Sequence, residues 1–289
     1  MFYFYALFSA FGYALQNVLL VPYARKMDGL SLAFFRGSTF LVTLTPLFIG
    51  SHLTDIDTAL RQWPILIAGG FGGGLSLGLM YTAYRFIPIG VTVGLQRAFS
   101  TIMLAIAGWL FWKETLSPAA IALIAVILAA SFFLGLRKHG MPHLDQRGLL
   151  GLTLVFLSAV PLAVAYVVFA ILSRDGSPLV SGYFWEAAIG AGGFGLLVLR
   201  WFGNRQDIDR ITGRDFLAIA LRAWPTLIGT GCYGLALHLG PMAVISAVGT
   251  VSIVFSTLLA HWLFEEKIHP NQWLAILVIV AGVAGLKFV

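Results

Sequence analysis

Charge is what this sequence has least of. Of its 289 residues only 10% are Asp, Glu, Lys or Arg, while 59% are hydrophobic and the mean hydropathy is +0.91. A soluble domain carries about 25% charged residues. The shortage excludes a soluble globule of this size, which would lack polar groups to cover itself, whereas lipid accepts such a surface. Cysteine is nearly absent: Cys232 is the single one and sits inside an apolar run, so no internal disulfide is available. The glycine-rich stretch Gly69-Gly70-Phe71-Gly72-Gly73-Gly74 lacks the Gly-Lys-Ser/Thr ending of a phosphate loop, which argues against a nucleotide-driven engine in this chain alone. Motifs for a cofactor or metal are also missing, and neither is expected. No basic residue precedes the first apolar stretch, so the opening Met1-Phe2-Tyr3 departs from signal-peptide grammar and is expected to stay as a helix.

What is present is hydrophobic length. Apolar runs near the spanning length of about 20 residues lie at 2–22, 31–50, 64–84, 88–112, 117–136, 148–171, 178–200, 224–241, 242–264 and 270–288. The expected fold class is therefore an all-α integral membrane protein of ten transmembrane helices. The polar segment at 201–223 is too short for a separate domain. A net charge of +6 does not indicate nucleic acid, because the cations fall in short clusters between apolar runs and form no stripe. They read instead as the basic loop residues that orient a membrane protein.

The ten runs divide into two sets of five. Arg61-Gln62-Trp63-Pro64 opens the third run and Arg222-Ala223-Trp224-Pro225 the eighth, with Gly-rich stretches following both. Trp109 to Pro118 echoes Trp262 to Pro270, and Glu114 and Pro118 match Glu266 and Pro270 at one offset of 152. Residues 1–140 and 141–289 are thus expected to be two copies of one five-helix unit. An odd number of spans per copy makes the second enter from the opposite side, giving an inverted repeat. Alternating access exploits that symmetry, because each half can adopt the other's conformation around a midplane site.

On these motifs the chain resembles the drug/metabolite transporter superfamily, specifically its ten-helix EamA-type permeases. Each half closes with a Trp-Leu-Phe…Glu…Pro turn, and Arg36 stands early in the second run in Leu-Ala-Phe-Phe-Arg-Gly. The resemblance implies a central site built from spans 1, 3, 4, 6, 8 and 9, and both termini inside in many members. The charge distribution argues the other sidedness. Loops after odd-numbered spans hold twelve cations (Arg25, Lys26, Arg85, Arg137, Lys138, Arg147, Arg200, Arg205, Arg210, Arg214, Arg222, Lys267) against three (Arg61, Lys113, Arg174) after even-numbered ones. The richer set belongs inside, which puts both termini outside.

Ionisable groups within spans cost roughly 2.5–3.5 kcal/mol each and are functional candidates. Three stand inside: Arg36, Arg97 and Glu186, the last being the single acid well within a span. One reading has Arg97, with Gln96, bind the anionic group of a solute while Arg36 and Glu186 form an ion pair, gate or protonation site. The other has Glu186 neutralise an arginine between packed helices, with Arg36 snorkelling from near its helix end. Mid-span Gln16, Asn17, Tyr81, Tyr84, Tyr166, Tyr233, His238, Ser246 and Ser252 complete the expected substrate-binding set. Gly70, Gly74 and Gly78 have small-xxx-small spacing for close packing, and Pro161 is expected to interrupt its helix and free carbonyls toward a cavity. Trp109, Trp112, Trp201, Trp262 and Trp273 read as interfacial belt residues.

Three function classes compete. The first is a secondary transporter, an exporter of small metabolites with an anionic or carboxylate group such as amino acids, in the cell inner membrane. Two cations against one anion favour it, with a small-molecule solute, membrane lipid and protons as partners, no nucleic acid, and a monomer or weak dimer as the assembly. The second is a multidrug efflux protein, which the 14% aromatic content permits. The third is a lipid-modifying enzyme, for which His139, Pro142 and His143 form no recognisable catalytic set.

Overall fold

A computed structural model describes residues 1–45, 49, 56–87, 89–136, 146–204, 209, 211–265 and 267–288. Among them every regular element is a helix: α1 (Phe2–Ala24), α2 (Gly29–Ser38), α3 (Phe40–Thr43), α4 (Ile56–Arg61), α5 (Trp63–Ala83), α6 (Ile89–Trp112), α7 (Pro118–Leu136), α8 (Gln146–Asp175), α9 (Pro178–Asn204), α10 (Gly213–Ala223), α11 (Thr226–Leu239), α12 (Met242–Gly249), α13 (Ser252–Phe264) and α14 (Pro270–Gly285). Pro46, Arg137, Lys138, His139, Pro142, His143, Arg205, Arg210 and Glu266 lie outside the described residues.

Among the described residues six stretches are long and apolar enough to cross a membrane: Phe2–Ala24, Trp63–Ala83, Ile89–Trp112, Gln146–Asp175, Pro178–Gly203 and Met242–Phe264. Pro118–Leu134, Thr226–Leu239 and Pro270–Gly285 are apolar but shorter. The second expected span is broken at Thr39 into α2 and α3, and the ninth at Thr250–Val251 into α12 and α13. Hydroxyls compete with the ladder at both breaks: Thr39 Oγ1 donates to Arg36 O at 2.6 Å and Thr250 Oγ1 to Ala247 O at 2.6 Å. Pro161 behaves otherwise than expected. α8 runs through it unbroken, and its carbonyl faces Gly72 of α5, where a Cβ would stand 2.8 Å away.

The glycines do serve packing. α5 crosses α9 closely enough that a Cβ on Gly74 would lie 2.6 Å from the Gly193 nitrogen, and Gly229 of α11 meets the Tyr13 ring of α1. The packing partners are α5 with α8 and α9, α1 with α11, α6 with α8, α12 and α13, and α7 with α14.

The loops sort to two ends. At one end Asp28 binds Arg200 at 2.8 Å, and the Arg85 guanidinium donates to the backbone carbonyls of Ala24 and Met27. At the other, Arg174 pairs with Glu114 at 2.7 Å, Gln62 donates to Asp175 at 3.0 Å, and Tyr3 donates to Leu286 O. The offset of 152 recurs in the backbone. α6 ends at Trp112 and α13 at Phe264; α7 and α14 begin at Pro118 and Pro270. Among the described residues, the positive-φ residues other than glycine are Lys113 (φ 55°) and Glu265 (φ 54°), at that same spacing.

Candidate functional site

The site starts from two short pieces of helix. Asp28 caps α2 by accepting the Ser31 N–H at 2.9 Å, and α2 then ends at Ser38, just past Arg36. Gly37 lies against Gly190 of α9, which draws the two backbones together. Arg36 and Glu186 therefore face each other deep in the bundle, 4% and 1% exposed. Arg36 does not snorkel: its guanidinium grips Glu186 with both ends, Nη1 to Oε2 and Nη2 to Oε1 at 3.1 Å. A bidentate fork of this kind is the geometry in which guanidinium and carboxylate match best.

Neutral groups complete the pair. Arg36 Nη2 also donates to Gln16 Oε1 at 3.2 Å and to Thr226 Oγ1 at 3.4 Å, and Thr226 donates to Gln16. Thr230 Oγ1 donates to Glu186 Oε1 at 2.7 Å and shares a 3.0 Å hydrogen bond with the Tyr13 hydroxyl. A buried ion pair tolerates the loss of water only when its remaining lone pairs and protons are used in this way.

Arg97 is different. No carboxylate among the described residues pairs with it; its guanidinium lies over two rings, 5.6 Å from the Tyr13 centroid and 5.2 Å from that of Tyr166. Tyr166 stacks on Trp185 at 5.6 Å, Trp185 on Phe169 at 4.6 Å, and Tyr233 approaches Tyr166 at 4.7 Å. The ring faces are the electron-rich side of each quadrupole, so they hold the cation without cancelling its charge. Arg36, Glu186, Arg97, Tyr13, Tyr166 and Trp185 line one cavity of about 40 Å³. That is room for a few waters and far below the roughly 300–1,000 Å³ of a pocket holding a drug-sized ligand.

Of the expected residues, Gln16, Asn17, Gln96, Arg97, Tyr166, Arg36 and Glu186 line this cavity. The Gln96 amide is already used, donating to Ser158 at 2.9 Å and Ser76 at 3.2 Å. Tyr81 stands beside the charged network and Tyr233 behind Tyr166; both hydroxyls are buried without a hydrogen-bond partner among the described residues. Tyr84 belongs to a separate opening nearer the basic end. Ser246 shares a 2.9 Å bond with Thr101 between α12 and α6, and Ser252 is buried; neither lines the cavity. His238 is exposed, its Nδ1 2.9 Å from Ser173 O at the opposite end. Tyr13, Thr226, Thr230, Ser76, Ser158 and Trp185 were not expected. Tyr13 precedes Gln16 and Asn17 at i+3 and i+4, and Thr226 and Thr230 are spaced by four, so helical faces carried a signal.

This arrangement, a helical bundle with broken helices and buried charge around an inner cavity, defines a multi-pass membrane protein with a polar interior. Residues 149–288 match the EamA-like transporter family. That match marks an EamA-like transporter family domain in the second half of the chain, consistent with the drug/metabolite transporter superfamily and with a membrane transporter of small molecules. No curated protein matches the sequence. A crystal structure described only as that of a protein superposes over 98% of this chain and 96% of that one, with a TM-score of 0.69 and 18% identity. That likeness bears on the fold alone.

Proposed function

We propose that this chain is a secondary active exporter, in the inner membrane, of small metabolites bearing a carboxylate or other anionic group, such as amino acids. The carrying observation is the division of labour between two arginines. Arg36 is neutralised by Glu186 within hydrogen-bond distance, whereas Arg97 faces the same cavity with aromatic rings as its neighbours and no carboxylate among the described residues. The cavity therefore carries a net positive charge for a solute's anionic group to cancel, and rings to flank its apolar part. Two inverted five-helix halves, residues 1–140 and 141–289, supply alternating access. The matching turns at Lys113 and Glu265 support that reading, and the cavity of about 40 Å³ is its contracted form. Protons are the coupling ion, taken up by Glu186 when the fork to Arg36 opens.

The aromatic lining also suits flat cations, as a multidrug efflux protein requires, but Arg97 would repel them. Thermal stabilisation of the purified protein across anionic, zwitterionic and cationic metabolites, repeated with Arg97→Ala, tests the assignment. A hit lost in the variant identifies solute and site together; hits that all persist overturn the role of Arg97. In proteoliposomes, pH-gradient-driven transport that survives Glu186→Gln removes proton coupling through that residue.

A further inference from the structure

A second opening lies at the basic end, between the end of α1 and the end of α5. It is lined by Arg25, Lys26, Tyr84 and Arg85 and measures about 380 Å³. Arg25 and Lys26 are exposed and form no ion pair with a described residue. Nearby acids are committed elsewhere: Asp28 binds Arg200 and the Ser31 N–H, Asp209 accepts the Asp28 N–H, and Asp215 binds Thr212 at 2.6 Å in the capping box of α10 while lying within electrostatic range of Lys26. Arg85 spends donors on the Ala24 and Met27 carbonyls and so fixes the end of α1. Tyr84 reaches the opening from the buried side, 4% exposed, with a hydroxyl that finds no partner among the described residues. A buried hydroxyl left unpaired costs free energy unless something else occupies its donor. The Tyr81 ring lies 5.9 Å behind that of Tyr84, and Tyr84 is within electrostatic range of Arg97.

We propose that this opening is an oxyanion-binding site, taking a phosphate group against Arg25 and Lys26 with the Tyr84 hydroxyl donating to it. A phosphate group matches the uncompensated cations and supplies several acceptors at once. Its standing as an antechamber to Arg97 rests on the transporter reading above; the binding itself does not. The phosphate is either that of a soluble solute or that of an anionic lipid headgroup.

The test titrates glycerol phosphate onto the purified full chain in detergent and compares three variants. Arg25→Gln/Lys26→Gln is exposed and should fold; it is expected to weaken binding roughly thirty-fold, as loss of two surface cations does. Tyr84→Phe keeps the ring and should weaken binding at least roughly ten-fold by removing one hydrogen bond to a charged group. Arg97→Ala should leave unchanged the component of binding that those two variants weaken, whatever it removes from the central cavity. Binding that survives the double variant, or that disappears only in Arg97→Ala, overturns the site and places the phosphate in the central cavity. Repeating the titration in nanodiscs separates the sources. Competition that appears with phosphatidylglycerol and not with phosphatidylcholine alone identifies a lipid headgroup as occupant, and equal binding in both identifies a soluble oxyanion.

Discussion

Glu186 and Arg36 carry opposite charge at a depth where either one alone is expensive. Each is held by the other, Arg36 also by Gln16 and Thr226, and Glu186 also by Thr230, which Tyr13 supports in turn. Removing one partner leaves an uncompensated buried charge, a change that costs about 3–5 kcal/mol, while replacing both by apolar groups of similar size is often close to neutral. Glu186→Gln should therefore lower thermal stability in detergent markedly, and Arg36→Met/Glu186→Leu should recover most of the loss. A double variant as unstable as the single would show that the pair supports the bundle by packing rather than by charge. This pair was half legible in the sequence. Glu186 stands out as the single acid within a span, and a buried acid needs a cation. Which arginine it takes depends on the approach of Gly37 to Gly190, a contact between residues 153 positions apart that no local pattern displays. The hydroxyls around it were hidden for a different reason: neutral Ser and Thr are common in apolar helices, where most only bond back to their own ladder.

Helices behave as the glycine and hydroxyl positions dictate. Span boundaries were legible because hydrophobic length and Pro at a first helical turn mark them, as Pro118 and Pro270 do. The breaks at Thr39 and Thr250 were not, since apolar residues resume directly after both. Close crossings carry a direct test. Gly74→Val places a branched side chain where a Cβ is already 2.6 Å from the Gly193 backbone, while nothing lies within 4 Å of a Cβ on Gly203. The first should destabilise by about 1–3 kcal/mol and the second, as Gly203→Ala, should leave the melting temperature nearly unchanged. Lys113 and Glu265 end their helices in the left-handed region, where a side chain costs roughly 1–2 kcal/mol. Lys113→Gly and Glu265→Gly should each raise stability, and equal gains would mark the two turns as equivalent.

The cap of α2 adds a dependence on pH. Burial pushes the Asp28 carboxyl up, but the Ser31 N–H and the Arg200 guanidinium together outweigh it and hold the group below the ordinary carboxylate range. A depressed folded value means that its stabilising contribution is complete above the unfolded value of about 3.9 and is lost as pH falls through the folded one. Asp28→Asn should melt lower than the parent at neutral pH, and the two curves should converge in acid.

For the whole molecule, the halves are joined by ion pairs at both ends: Arg174 to Glu114 at one, Arg200 to Asp28 at the other. The first is the more elaborate. Glu114 also accepts the Met242 N–H at 3.0 Å at the start of α12, and Arg174 lies 4.4 Å over the Trp112 ring while donating to the Leu237 and Gly240 carbonyls. In the alternating access proposed above one of these joints breaks at a time, so which end faces the cytoplasm decides which joint that proposal makes the outer gate. Arg25, Lys26, Arg85, Arg147, Arg200, Arg214 and Arg222 follow odd-numbered spans, and the positive-inside rule assigns that set of loops to the cytoplasm. The family resemblance implies the reverse for many members, so the two arguments part on one measurement. In a Cys232→Ala background, Asp57→Cys reports the Glu114 side from an exposed helix turn, and Gly203→Cys reports the basic side. With a membrane-impermeant maleimide on intact cells, the charge argument expects Asp57→Cys to react at once and Gly203→Cys only after the membrane is opened. The opposite pattern would put both termini inside and make the Asp28–Arg200 joint the outer gate.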